Sequence, residues 1–174
     1  MNNTESEYKF LVQDDSWIFS ISYVDVIKQC YLSIDPFRTV RVRTVNSLKN
    51  DIENSSNSIK SFITIKGKKH KLTCAEYEYE IPTEDAVELF RLCTHTISKH
   101  RFHVLHENSN WEIDVFLGDN DGLIIAELEV PNGIKPEDFE FVIPHWAGTN
   151  VTEDSRYSNS NLSQKPFNTW TVKT

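Results

Sequence analysis

Three stretches of the chain set carboxylates at every second position: Glu5 and Glu7 running on to Lys9, then Glu76, Glu78 and Glu80, then Glu127 and Glu129. Cations keep the same spacing in Arg41 and Arg43, and in Lys99, Arg101 and His103. Thr64 with Lys66, and Glu112 with Asp114, repeat it again. Side chains two apart on a β-strand share one face, so each stretch presents a row of charge. Like charges on neighbouring same-face positions repel. Such rows persist where opposite charges on adjacent strands, or bound ions, offset the repulsion. The basic rows suit a local anion site within an otherwise acidic protein.

The residues between the charges say what holds them. Tyr8 and Phe10, Val40 and Val42, Ile63 and Ile65, Tyr77 and Tyr79, Phe102 and Val104, Ile113 and Val115, and Ala126 and Leu128 occupy the alternate positions. A solvated antiparallel sheet can look like this along one strand. Seven strands of one design favour a closed barrel with a charged lumen, in which inward and outward positions alternate along every strand.

The 174 residues make one domain, 1–174, large enough for a genuine core. A net charge of −8 argues against general nucleic-acid binding and against attraction to anionic membrane. Cys30, Cys74 and Cys93 are odd in number and lack C-x-x-C spacing, which gives a disulfide framework or zinc site no support. With no apolar leader and no stretch long enough to span a bilayer, the expectation is a cytoplasmic protein with reduced thiols.

Between the charged strands, Ser16–Ser22 and Val24–Ile34 read as strand with turns, and Asn46–Ser58 as an exposed hairpin loop. Gly67–Thr73 is a basic turn. Thr83 is placed to cap a helix that continues through Cys93, with Val87, Phe90, Leu92 and Cys93 as its core face. Asn108-Ser109-Asn110 and Gly118–Gly122 read as hairpin turns. Pro136–Phe139 and Val151–Lys165 could each form a short helix. The class is α+β, dominated by antiparallel sheet. The six histidines have no metal-site spacing and read as structural or surface, and the four tryptophans as packing residues.

The ordered blocks resemble a known family. Glu5-Ser6-Glu7-Tyr8-Lys9 is similar to the E-x-E-x-K signature of the CYTH superfamily, the triphosphate tunnel metalloenzymes. The match continues through Gln29-Cys30-Tyr31-Leu32, Arg41-Val42-Arg43, Thr64-Ile65-Lys66-Gly67, Glu76–Pro82, Lys99-His100-Arg101, Trp111–Phe116 and Ala126–Glu129. The tail Val151–Ser160 resembles the ending of short bacterial members. The chain departs at Tyr8, where Arg is usual, at Cys30, where Gly is common, and at Cys74, where many relatives carry Arg.

The resemblance implies a closed antiparallel barrel of about eight strands with helices packed outside. It also implies hydrolysis of the terminal phosphoryl of a triphosphate, with inorganic tripolyphosphate favoured. A nucleoside triphosphatase, an adenylate cyclase and a non-catalytic polyphosphate-binding module are the alternatives. Lys9, Arg41, Arg43, Lys66 and Arg101 are then the phosphate contacts: Arg offers a planar fork to phosphate oxygens and Lys a point charge. Glu5, Glu7, Glu127, Glu129 and Asp114 are the implied ligands of Mg²⁺ or Mn²⁺, since all-oxygen ligation selects a hard cation. Glu76 and Glu78 hold the basic residues in place, Lys99 is a candidate for proton transfer, and Tyr31 lines one mouth of the tunnel. The implied partner is a triphosphate-containing small molecule, with no nucleic acid or membrane, bound by a monomer or homodimer.

Overall fold

The computed structural model describes residues 3–48 and 59–171. Its strands are β1 (Thr4–Val12), β2 (Ile21–Asp35), β3 (Arg38–Leu48), β4 (Ile59–Gly67), β5 (Thr73–Ile81), β6 (His95–His106), β7 (Ser109–Phe116), β8 (Ile124–Glu129) and β9 (Ala147–Asn150). They form one antiparallel sheet in the order β5-β4-β3-β2-β6-β7-β8-β1-β9, and a β1–β5 pairing closes eight of them into a barrel. Closure is staggered. β5 takes only the start of β1, Thr4 opposite Ala75 and Ser6 opposite Thr73. The short β9 covers the remainder of that edge, at Phe10 and Val12. No backbone edge of β1 is thereby left as a template for another chain.

Two outer layers cover the barrel. On one side Phe10, Val104, Trp111, Ile113, Ala126 and Leu128 pack with Trp17 and Trp146. Trp111 meets Phe10, Phe141 and Trp146 edge-on, at centroid distances of 5.7, 5.9 and 5.4 Å. On the other side α1 (Thr83–Phe90) packs on Cys30, Val42 and Ile63. All of these strand residues hold the parity opposite to the charged rows, so apolar burial outside forces the charges inward.

Several local expectations are corrected. Ser16–Ser20 is a 3-10 turn rather than strand, burying Trp17. β2 runs unbroken from Ile21 to Asp35, because β3 and β6 flank it on both edges. Asn46 to Leu48 are still strand; the rest of the expected loop lies outside the described residues. Thr83 does not cap α1. The helix starts on it after Pro82, and its hydroxyl is occupied by Ser61 and the Ile59 carbonyl. The core face of α1 is Ala86, Leu89 and Phe90, with Cys93 just beyond; Val87 and Leu92 are exposed. The β6–β7 turn falls one residue early, on Glu107 and Asn108, both with positive φ. Val151–Lys165 is only a 3-10 turn and the short α2 (Asn159–Leu162). Cys30 and Cys93 are joined as a disulfide with Cα atoms 5.8 Å apart, against the expectation of reduced thiols. It ties the end of α1 to β2, and Cys74 stays free. No helix among the described residues is long and apolar enough to cross a membrane.

Trp111 is fully buried, and its indole nitrogen has no hydrogen-bond partner among the described residues. Trp111→Ala should therefore cost about 3–5 kcal/mol of unfolding free energy by cavity formation. Trp111→Phe, which gives up no hydrogen bond, should cost clearly less. Urea denaturation followed by far-ultraviolet circular dichroism checks the order of the two.

Candidate active site

The barrel encloses a cavity of about 880 Å³ lined by Glu5, Glu7, Lys9, Tyr31, Arg41, Arg43, Lys66, Glu76, Glu78, Lys99, Arg101, Glu127 and Glu129. Eight strands leave an interior wide enough for side chains or one small ligand. Of the residues to which the resemblance gives a role, Asp114 alone does not line the open space; Thr64, Glu80 and His103 of the charged rows do not line it either. Asp114 lies beneath Lys99 and Arg101, fully buried. One end of the lumen is closed by Tyr31, Ile97, Phe116, Leu123 and Ile125 with Leu162 of α2 among them. That short helix is not outside the barrel: Asn159, Ser160 and Asn161 line the cavity.

Lys9, Arg41, Arg43, Lys66, Lys99 and Arg101 each stand against a carboxylate from another strand, either the next one or the next but one. Lys9 touches Glu127 and lies 3.1 Å from Glu7. Arg41 reaches Glu76 at 3.4 Å, and Arg43 donates to both oxygens of Glu78 at 2.9 Å. Lys66 touches Glu5 and lies 3.2 Å from Glu76. Arg101 donates through Nε and Nη2 to the two oxygens of Asp114, at 2.7 and 2.8 Å, and to Glu127 at 2.6 Å. It also contacts Glu112. Lys99 donates to Asp114. Removing one member of such a pair leaves its partner buried and uncompensated, which is strongly unfavourable.

Two lysines of this lumen titrate in opposite directions. Burial would lower Lys9, but Glu127 and Glu7 beside it hold its ammonium above the ordinary value. Lys99 is equally buried, and desolvation together with Arg101 outweighs Asp114 and Glu127, bringing its pKa down to about 8. Burial pushes the Tyr31 phenol up, while Arg41, Lys66 and Lys9 pull the other way; it remains a neutral hydroxyl at ordinary pH. Burial raises Glu76, and its hydrogen bond with Glu5 raises it further; Lys66 and Arg41 keep Glu5 low. Of the two carboxyls, Glu76 is therefore the one that protonates first as pH falls. Burial also pushes the Cys74 thiol up to about 11, so next to Glu5 it is no thiolate.

Glu7 and Glu129 face each other across the β1–β8 pairing. Glu129 has no ion pair among the described residues, and its carboxyl is raised by burial and then by Glu5, Glu112 and Glu7. Among the described residues no three acidic, His or Cys side chains converge at ligating distance. The donor chemistry nevertheless fits a hard divalent cation: Glu5, Glu7 and Glu129 offer only oxygen, Glu129 has no ion pair among the described residues, and Glu5 and Glu7 each share a single lysine with another carboxylate. Asp114 and Glu127 differ from them, because their oxygens are taken by Lys99, Arg101 and Lys9.

Sequence reasoning passed over some residues of the site. Thr64, fully buried, donates to Glu78 at 2.7 Å. Thr152 accepts the backbone amide of Lys9. Gln29 donates to the Tyr31 hydroxyl at 2.9 Å. Strand parity was signal enough for Gln29 and Thr64, which share faces with Tyr31 and Lys66. Nothing in the sequence links Thr152 to Lys9.

No protein-family model matches the chain. It is 38% identical over 165 residues to an inorganic triphosphatase of Acetivibrio thermocellus, covering 94% of this chain and 95% of that protein. The solved structure of the inorganic triphosphatase NE1496 matches with a TM-score of 0.57 and 27% identity, over 91% of this chain and 93% of that one. The Hippeastrum protein HpAC1, described as having a dominant triphosphatase activity, matches with a TM-score of 0.55 over 76% of this chain and 81% of its own; at 14% identity it bears on the fold alone. The closed barrel, the ordered charged rows and the similarity along nearly the whole length agree: the chain belongs to the CYTH superfamily, the triphosphate tunnel metalloenzymes.

Proposed function

We infer that the protein hydrolyses the terminal phosphoryl of a triphosphate, with inorganic tripolyphosphate as its substrate, inside this lumen. The observation that carries the reading is the convergence of Lys9, Arg41, Arg43, Lys66 and Arg101 on one enclosed cavity. Phosphoryl transfer asks little covalent chemistry of a protein and depends on positioning and charge neutralisation. Among the described lining residues Tyr31 is the one aromatic ring, whereas Trp17, Trp111 and Trp146 pack outside the barrel. A lumen without a stacking platform for a base favours an inorganic substrate over a nucleotide. Phosphate release from tripolyphosphate, compared with ATP and pyrophosphate, tests the choice directly.

In this reading the arginines grip phosphate oxygens and Lys9 and Lys66 supply point charge. Glu5, Glu7 and Glu129 are the residues that would hold Mg²⁺ or Mn²⁺, which when bound neutralises phosphate charge and these carboxylates together. Asp114 and Glu127 keep Arg101, Lys99 and Lys9 in place, as supporting carboxylates do in a charged site. Lys99 Nζ accepts the proton of the attacking water, a role that its lowered pKa allows. Tyr31, a neutral hydroxyl among the clamp cations, donates to a phosphoryl oxygen.

Three outcomes follow from these roles. Lys66→Ala and Arg41→Ala should each lower kcat/KM by about 30-fold to a few thousandfold, the range for truncating one member of a desolvated charge pair. Lys135→Ala, on the exposed surface, should change it by less than about threefold; equal damage at Lys135 and Lys66 overturns the clamp. Treatment with EDTA should stop phosphate release, and added Mg²⁺ or Mn²⁺ should restore it. Finally, a neutral Lys99 amine is the working form, so kcat should rise with pH and level off above about 8. Lys99→Arg, which stays protonated, should lose at least about a hundredfold in kcat. A flat profile from pH 6 to 9 removes Lys99 from proton transfer.

A further inference from the structure

Gln29 and Tyr31 lie two apart on β2 and so point to the same, inward face. Both are buried, Gln29 at 1% exposure and Tyr31 at 5%. The Gln29 side-chain amide donates to the Tyr31 hydroxyl oxygen at 2.9 Å, while its own carbonyl oxygen has no partner among the described residues. Burying an amide with an unmet acceptor costs free energy that an apolar side chain of the same size would avoid. β3 sets Arg41 opposite Tyr31, and the ring packs on its other side against Ile97, Phe116, Leu123 and Ile125. Packing there would be served as well by methionine, so the amide needs another reason.

The hydroxyl supplies that reason. A phenol oxygen has one proton to give and lone pairs to receive with. A donor already seated on the oxygen repels the hydroxyl proton from its own side. The proton must turn elsewhere, and the ring borders the lumen that Arg41, Lys66 and Lys9 also line. We propose that Gln29 is the positioning residue that keeps Tyr31 a hydrogen-bond donor aimed into the lumen, at an oxygen of the bound polyphosphate. The proposal rests on the reading above in which Tyr31 touches substrate. Gln29 itself touches nothing that reacts and acts only through the hydroxyl.

Tripolyphosphate hydrolysis by Gln29→Met, Gln29→Glu, Tyr31→Phe and the Gln29→Met/Tyr31→Phe double variant tests it, alongside the ¹³Cζ resonance of Tyr31. Gln29→Met preserves volume and should lower kcat about three- to tenfold, the worth of one hydrogen bond, with KM changed less than about twofold. Gln29→Glu offers an acceptor, draws the hydroxyl proton away from the lumen, and should lower kcat at least as far. The Tyr31 resonance should move in both Gln29 variants whether or not they turn over. The double variant should be no slower than Tyr31→Phe alone, because Gln29 has nothing left to orient. If Tyr31→Phe is slow but the Gln29 substitutions leave kcat and the resonance unchanged, or add their full effect in the Tyr31→Phe background, the proposal is overturned and the role of Tyr31 stands. If Tyr31→Phe retains full kcat, the role of Tyr31 falls and the proposal with it.

Discussion

A charge that points into a closed barrel is held away from bulk solvent, so it must be met by another from a strand one or two places along the wall. That constraint governs the whole architecture. The barrel could not close around Arg41, Arg43, Lys66 and Arg101 unless Glu76, Glu78, Glu5 and Asp114 lay within reach of them. The carboxylates alone would repel one another in the same way. The pairings run almost entirely between strands, from β3 and β4 to β5, from β4 to β1, and from β6 to β7 and β8. A one-residue slip of any strand would turn its charges out and its apolar face in. Register, closure and the charged lumen are therefore one condition seen three ways.

The same condition makes the site a place of exchange. Every clamp cation is already satisfied by a carboxylate, so an anion entering the lumen competes with Glu127, Glu76, Glu78 or Glu5 for it. Binding proceeds only where the displaced carboxylates find other positive charge. Glu7 and Glu129, facing across β1 and β8, mark where that charge is short. The raised Glu76 carboxyl is part of the same balance, since burial and Glu5 both favour its neutral form in the wall that Lys66 serves.

Strand parity carried most of what could be read from the residues. It gave seven of the nine strands, the inward rows and the apolar outer layer, because period-two alternation is a local property that closure then preserves; the register of β2 and the short β9 were not legible in it. It did not give the breaks. Ser16–Ser20 looked like strand because its apolar residues suit one, but Trp17 is drawn into the outer core and the backbone tightens into a 3-10 turn. Thr83 carried the chemistry of a cap, yet Ser61 and Ile59 on β4 claimed its hydroxyl. Cys30 and Cys93 are 63 residues apart and meet only because α1 folds back over β2, a contact no spacing rule anticipates. The tail was misread for a related reason: Leu162 is held by the closed end of the lumen, and a short sequence cannot announce a partner assembled from β2, β6, β7 and β8.

Lys9 and Lys99 show how one lumen assigns different work to one side-chain type. Both are buried, so desolvation presses each toward the neutral amine. Lys9 sits between Glu127 and Glu7 with no cation in contact, and Coulomb attraction overwhelms the loss of hydration. Lys99 has one carboxylate in contact, Asp114, and shares it with Arg101, whose two donors occupy both of that carboxylate's oxygens. A guanidinium does not give up its proton, so in that triad the ammonium is the group that can. The neighbour that we propose grips phosphate is thus also the one that frees Lys99 to hold a proton or release it. Environments that drive two like groups apart in pKa are how a site divides acid from base. Here the division follows from one spacing, Lys99 and Arg101 two apart on β6, with Asp114 opposite Arg101 on β7.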